Sequence, residues 1–67
     1  MNTNQLKAKI VGAGYTQRAL AKELNMSTNA LNSKINGRTP FNTNEVVVIC
    51  DLLAINDNAE RAHIFLS

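Results

Sequence analysis

The sequence has few of the residues that covalent cross-links and metal or redox centres require. It contains one cysteine, Cys50, and one histidine, His63, among 67 residues. A single cysteine excludes an internal disulfide and fits a reducing compartment. A single residue of each kind also argues against a Cys/His metal cluster or a Cys/His catalytic pair. We therefore expect no metal, no cofactor and no enzymatic activity.

Long apolar runs and glycine-rich loops are missing as well. No apolar run is long enough to span a membrane, and the segment MNTNQLKAKI lacks the apolar centre of a signal peptide. The GAG segment at 12–14 lacks the third glycine and the preceding strand of a dinucleotide-binding loop. These features predict a cytoplasmic protein without membrane contact. A chain of 67 residues has room for a single domain, over residues 1–67, with one small core.

Strand patterns are absent, whereas helix boundaries are well marked. No segment alternates apolar and polar residues as a half-buried strand does. Helix starts are predicted at five capping residues, Asn2, Thr16, Ser27, Asn42 and Asp57. Capping boxes are predicted with Gln5, Glu45 and Glu60 for the first, fourth and fifth of them. Stops are predicted at Gly12, Gly14, Asn25, Gly37 and Pro40. The sequence therefore predicts an all-α fold of five short helices.

Apolar residues at helical spacing define the expected core. The positions predicted to be buried are Leu20, Leu24, Leu31, Ile35, Ile49 and Leu53. Cys50 lies on the same face of the fourth helix as Val46, Ile49 and Leu53, so we expect it to behave as a small buried apolar residue.

Charge is unevenly distributed along the chain. Residues 1–38 contain six basic side chains and one acidic one, which gives +5, whereas residues 39–67 contain one basic and four acidic ones, which gives −3. The first half could contact a polyanion, and the second half would not. Ordinary solvated helix faces are the alternative explanation, and charge alone does not separate the two.

The segment STNALNSKING, residues 27–37, is predicted to be a helix made largely of poor helix formers. At about 100° per residue, Leu31 and Ile35 face one way. Four short polar side chains face the other way: Asn29, Asn32, Ser33 and Asn36. Such a helix fits the DNA major groove, where an asparagine amide can pair with adenine N6 and N7 together. Basic residues flank this face and could neutralise phosphates: Arg18, Lys22, Lys34 and Arg38. A polar solvent-exposed face is the alternative.

The spacing of residues 16–41, TQRALAKELNMSTNALNSKINGRTPF, favours the DNA interpretation, because it resembles the lambda-repressor-like, Cro-type helix-turn-helix family of small phage regulators. The matching positions are Thr16-Gln17, Leu20-Ala21, Leu24, Ser27, Leu31 and Asn36-Gly37. The motif covers about residues 16–37, and the remaining helices fit the five-helix domain of that family. Two positions depart from the family pattern. Asn25 stands where many relatives have glycine, and Lys34-Ile35 stands where many relatives have a long apolar residue followed by an acidic one.

The resemblance implies a function and roles for individual residues. It implies a sequence-specific transcriptional regulator, a Cro-like repressor, that binds a double-stranded DNA operator with helix 28–36. Base edges would be contacted by Thr28, Asn29, Asn32 and Ser33. Phosphates would be contacted by Gln17, Arg18, Lys22, Lys34, Asn36 and Arg38. Gln17 could also brace a residue of the reading helix.

A homodimer is expected on DNA, because one helix spans too few base pairs to specify a site. The predicted interface consists of Val47 and Val48, which face outward in the fourth helix, and of Ile64, Phe65 and Leu66, which one helical face cannot bury together. The alternative is a tail that folds back onto its own core. A second function class also stays open, in which the fold binds another phage regulator, as an antirepressor or antitoxin-like protein does.

Overall fold

The computed structural model describes residues 1–66, and within them the fold consists of five α-helices and no strand. The helices are α1 (Thr3–Gly12), α2 (Gln17–Glu23), α3 (Thr28–Ile35), α4 (Thr43–Leu52) and α5 (Asn58–Phe65). The predicted all-α class with five short helices is therefore confirmed. None of the helices in the described range is long and apolar enough to cross a membrane.

All five predicted capping residues accept a hydrogen bond from the first turn of their helix. The reciprocal half of the capping box is present only at Asn42, whose backbone N–H donates to Glu45 Oε1 over 2.9 Å. The capping boxes predicted for Asn2 and Asp57 lack this reciprocal hydrogen bond, because groups from distant parts of the chain bind the same atoms. The Asn2 N–H donates to the Ile64 carbonyl over 2.7 Å, and the Glu60 carboxylate pairs with Lys9 of α1.

The first four helices end in the same way, with a left-handed residue after the last turn. These residues are Gly14, Asn25, Gly37 and Ala54, with φ of 81°, 60°, 80° and 56°. In each case the next backbone N–H bonds back to the last turn of the helix, as Ile55 does to the Cys50 carbonyl over 2.8 Å. This is the Schellman ending. Gly12, which was expected to help stop α1, is its last helical residue.

Ala54 is the unexpected member of this set, because an alanine in the left-handed region costs about 1–2 kcal/mol. Replacing Ala54 by Gly should therefore raise the free energy of unfolding by about 0.5–1 kcal/mol after the entropy cost of glycine is subtracted. Thermal or urea unfolding measures the change. The matched control is Ala8→Gly at an exposed position inside α1, which should lower the free energy of unfolding by up to about 1 kcal/mol. An Ala54→Gly protein less stable than the parent would contradict the assignment.

The core lies where the five helices meet. It consists of Leu6, Ile10, Leu20, Ala21, Leu31, Ile35, Ile49, Cys50, Leu53, Ile55 and Ile64. Five of the six predicted core residues are buried, as is Cys50, but Leu24 is only half-buried. Leu24 is the C-cap residue of α2, and its side chain packs against the edge of the core. α3 packs against both α1 and α2. This central position fixes which of its faces stays in solvent.

Candidate nucleic-acid interface

α2 and α3 form a compact pair joined by the short turn of residues 24–27. Asn25 makes the turn possible, since its left-handed φ of 60° reverses the chain and its N–H bonds to the Lys22 carbonyl over 3.1 Å. Ser27 then starts α3 by accepting from the Ala30 N–H over 3.1 Å. Leu31 and Ile35 of α3 are fully buried. The orientation of α3 in the domain is thereby set by two apolar side chains one turn apart.

A further contact holds the C-terminal end of α3. The Thr3 hydroxyl donates to the Ile35 carbonyl over 2.9 Å. Carbonyls in the last turn of a helix lack partners within the helix, so this bond from α1 satisfies one of them. Both ends of α3 are therefore fixed, and a rigid helix is better suited to a positional contact than a mobile one.

The outer face of α3 is polar, as the angular placement predicted. Thr28, Asn29 and Asn36 are exposed, whereas Asn32 and Ser33 are half-buried. Asn32 and Ser33 are less accessible than Asn29 because α2 and the segment after α3 lie beside them. The Ser33 carbonyl, for example, accepts the Arg38 N–H over 2.9 Å.

Three amide side chains form a hydrogen-bonded row across α2 and α3. Asn36 donates to Asn32 Oδ1 over 2.8 Å, and Asn32 donates to Gln17 Oε1 over 3.2 Å. Asn32 thus uses both its oxygen and its nitrogen inside the protein. Among the described residues, the Asn29 side chain makes no hydrogen bond, so its full set of donors and acceptors is available. Asn29 is consequently the amide best placed to pair with an external partner.

The basic side chains around α3 differ in availability. Arg18, Lys22 and Arg38 are exposed. Lys34, which was also predicted to contact phosphate, is paired within the protein: its Nζ lies 2.6 Å from both carboxylate oxygens of Glu45, and its side chain is only 17% exposed. Glu45 was predicted to have a capping role only, because its contact with Lys34 depends on the path of residues 36–42, which no local pattern predicts.

Glu45 has a perturbed acidity because of these neighbours. Burial raises the pKa of Glu45, but the hydrogen bonds from Lys34 and from the Asn42 backbone, together with the positive charge of Lys34, outweigh it and lower the pKa below its ordinary value. The carboxylate therefore stays ionised at neutral pH.

The apolar residues proposed for an interface are exposed to different degrees. Val47 and Val48 are about two-fifths exposed, and Leu66 is 84% exposed. Phe65 is half-buried and makes an edge-to-face contact with Phe41, with ring centroids 5.9 Å apart. Ile64, which was also placed in the predicted interface, is fully buried in the core of its own chain and so offers no surface to a second protomer. The chain end thus folds back at Ile64 and leaves Leu66 in solvent.

Side chains that could ligate a metal ion do not cluster in the described range. No group of three or more His, Cys, Asp or Glu side chains in residues 1–66 is placed to hold a metal ion. Cys50 is a buried free thiol. The expectation that the protein is not an enzyme stays a prediction.

The chain was compared with protein families, curated proteins and solved structures. Residues 1–66 match the family described as a protein of unknown function, DUF739. The comparisons with curated proteins and with solved structures gave no match.

Proposed function

We propose that this chain, which belongs to the DUF739 family, is a sequence-specific double-stranded DNA-binding protein that regulates transcription in the manner of Cro-type phage repressors. One observation carries the proposal: α3 presents a solvent-facing polar edge while its opposite face is fixed in the core by Leu31 and Ile35. An α-helix held in this way fits the major groove of B-DNA.

Base recognition is assigned first to the N-terminal half of α3. The Asn29 side-chain amide can donate to adenine N7 and accept from the adenine N6 amino group, which together form a bidentate contact. Thr28 precedes it on the exposed end of the helix and can offer a hydroxyl or a methyl group. Asn32 and Ser33 contribute less, because Asn32 must give up an internal hydrogen bond before its amide can pair with a base.

Phosphate contacts are assigned to side chains at the edges of α2 and α3. Arg18, Lys22 and Arg38 supply positive charge. Gln17 accepts from Asn32 through Oε1, so its amide hydrogens remain free to donate to a phosphate. Asn36 donates one amide hydrogen to Asn32, and its second amide hydrogen can donate to a phosphate at the end of α3. These contacts would set the register of α3 on the duplex without reading its sequence.

Selection from a random-sequence duplex library tests this assignment. We expect the purified protein to enrich a short common motif, and footprinting should then show protection of that motif. The second function class, in which the fold binds another regulator, predicts no enrichment above a protein-free control. Loss of preference at one position of the motif on replacing Asn29 by Ala, with Asn4→Ala at an exposed position of α1 as the matched control, would place the reading surface on α3.

A homodimer on DNA is part of the proposal, and it rests on the apolar side chains that stay exposed in the folded monomer. Val47 and Leu66 line one groove of about 590 Å³, together with the half-buried Phe41 and Phe65. Exposed apolar residues that converge on one concavity are more typical of an interface than isolated ones. The apolar surface in this groove is small, so we expect two protomers to pair weakly. Pairing should become evident on DNA that carries two recognition sequences.

Leu66→Ser should abolish pairing without unfolding the protein, because Leu66 is 84% exposed and makes little contact with its own core. Phe65 is a poorer probe, since its contact with Phe41 also supports the monomer. On a palindromic duplex, gel shift and sedimentation should give a 2:1 complex for the parent and 1:1 for Leu66→Ser. Val11→Ser, at a 74% exposed position on α1, is the control and should retain 2:1 binding. A 2:1 complex for Leu66→Ser, or only 1:1 complexes for the parent, would contradict the interface.

A further inference from the structure

The pair formed by Lys34 and Glu45 joins the last turn of α3 to the first turn of α4. Lys34 Nζ lies 2.6 Å from both Glu45 oxygens, and the two side chains are 17% and 16% exposed. The same carboxylate accepts the Asn42 N–H over 2.9 Å and so completes the capping box of α4. Glu45 therefore has two tasks, and Lys34 is its partner in one of them.

Lys34 points away from the proposed reading edge. It lies five positions after Asn29, which places the two side chains about 140° apart around α3 at roughly 100° per residue. Its ammonium group is directed towards α4, whereas Arg38, which is exposed, lies on the connection between the two helices. Position and pairing thus distinguish Lys34 from the other basic residues near α3.

Glu45 lies in the first turn of α4, the helix that follows the connection carrying two of the proposed phosphate contacts. Asn36 and Arg38, both proposed to contact phosphate, are on the connection that ends at the Asn42 cap of the same helix. An unpaired carboxylate there would repel phosphates. The capping box nevertheless uses this carboxylate to satisfy the Asn42 N–H.

We propose that Lys34 supports DNA binding by neutralising Glu45 inside the protein, and that it does not contact a phosphate. The inference rests on the proposed function, and it adds that one basic residue of the reading helix is excluded from the DNA contacts. Lys34 is then a positioning and neutralising residue, whose loss acts through Glu45.

A charge-neutral double variant tests the inference. Lys34→Met/Glu45→Gln keeps the net charge of the protein, and the glutamine can still accept the Asn42 N–H. We expect its plot of log K against log salt to keep the parent slope, since no phosphate contact is lost. The matched control is Arg38→Gln/Glu23→Gln, which is also charge-neutral and changes two exposed residues. Its slope should become shallower by about 0.9, the contribution of one phosphate contact.

The single variants test the neutralising role. Lys34→Met exposes the DNA to an unpaired Glu45 and should bind several-fold more weakly, while Glu45→Gln should bind at least as tightly as the parent. Adding Glu45→Gln to Lys34→Met should restore the affinity. A purely structural role could also give this rescue, because Glu45→Gln removes the largely buried charge that Lys34→Met leaves without a partner. Affinities are therefore compared at a temperature at which unfolding curves show every variant fully folded, where the neutralising role still predicts weaker binding by Lys34→Met and a structural role predicts none. Circular dichroism on each variant checks that the helices are retained.

The outcomes separate this inference from the proposed function. A slope for Lys34→Met/Glu45→Gln that falls by about 0.9, as in the control, would show that Lys34 contacts a phosphate and would overturn the inference alone. Failure of Glu45→Gln to rescue Lys34→Met would also overturn it. Absence of salt-dependent DNA binding by the parent protein would overturn the proposed function, and the inference with it.

Discussion

Replacing Leu31 by Ala is expected to destabilise the domain by about 2–5 kcal/mol, the usual range for a fully buried leucine. Leu31 is completely buried at the centre of the fold, where α3 packs against α1 and α2. Its truncation would leave a cavity that helices fixed at both ends cannot easily close. A domain of 67 residues has little stability beyond this amount, so we expect a largely unfolded population.

Circular dichroism during thermal unfolding measures this effect. The matched control is Leu66→Ala, which removes the same atoms from an 84% exposed side chain and should change the free energy of unfolding by no more than about 0.5 kcal/mol. An unchanged melting temperature for Leu31→Ala would contradict the packing described for α3. Because unfolding also abolishes binding, a DNA assay on Leu31→Ala carries no information about the interface.

Replacing Asn29 by Ala is expected to cost about 1–3 kcal/mol of binding free energy on the selected DNA site. The Asn29 amide is exposed and free of internal hydrogen bonds among the described residues, so its removal leaves the fold unchanged and removes one bidentate contact. The preference should relax at a single base pair. Binding to random duplexes, which depends on phosphate contacts, should change little.

Titration of each duplex by fluorescence anisotropy measures both affinities on the same protein. Asn4→Ala, at an exposed asparagine of α1, is the control and should bind both duplexes like the parent. An equal loss of affinity on selected and random DNA for Asn29→Ala would remove Asn29 from the reading surface. An unchanged affinity on both would lead to the same conclusion.

The helix boundaries could be predicted from the sequence because their signals are local. Ser27 and Asn42 are short polar residues that cap the helix directly after them, and glycine or asparagine marks the left-handed endings at Gly14, Asn25 and Gly37. Ala54 adopts the same ending but carries no such signal, so its conformation follows from the surrounding packing. The reciprocal bonds at Asn2 and Asp57 failed for a related reason, since partners distant in the sequence competed for the same groups.

The polar face of α3 was predictable, but its internal contacts were not. Helical spacing alone places Leu31 inward and Asn29 outward, and the exposures agree. The hydrogen bond between Asn32 and Gln17 depends on how α2 crosses α3. The pair of Lys34 with Glu45 depends on how the chain brings the start of α4 back to the end of α3. Charge and spacing therefore grouped Lys34 with the free basic residues. At the chain end, three adjacent apolar residues gave no indication that Ile64 would be the buried one.

The salt dependence of binding to a selected duplex tests the central claim, that α3 and its basic flank bind DNA, most directly. Arg18, Lys22 and Arg38 supply three phosphate-neutralising charges per protomer, so the slope of log K against log salt should be about −2.7 for one protomer and about −5.4 for a dimer. The selected duplex should also be bound more tightly than a random one at every salt concentration. A slope near zero, or equal affinity for selected and random duplexes, would contradict the account.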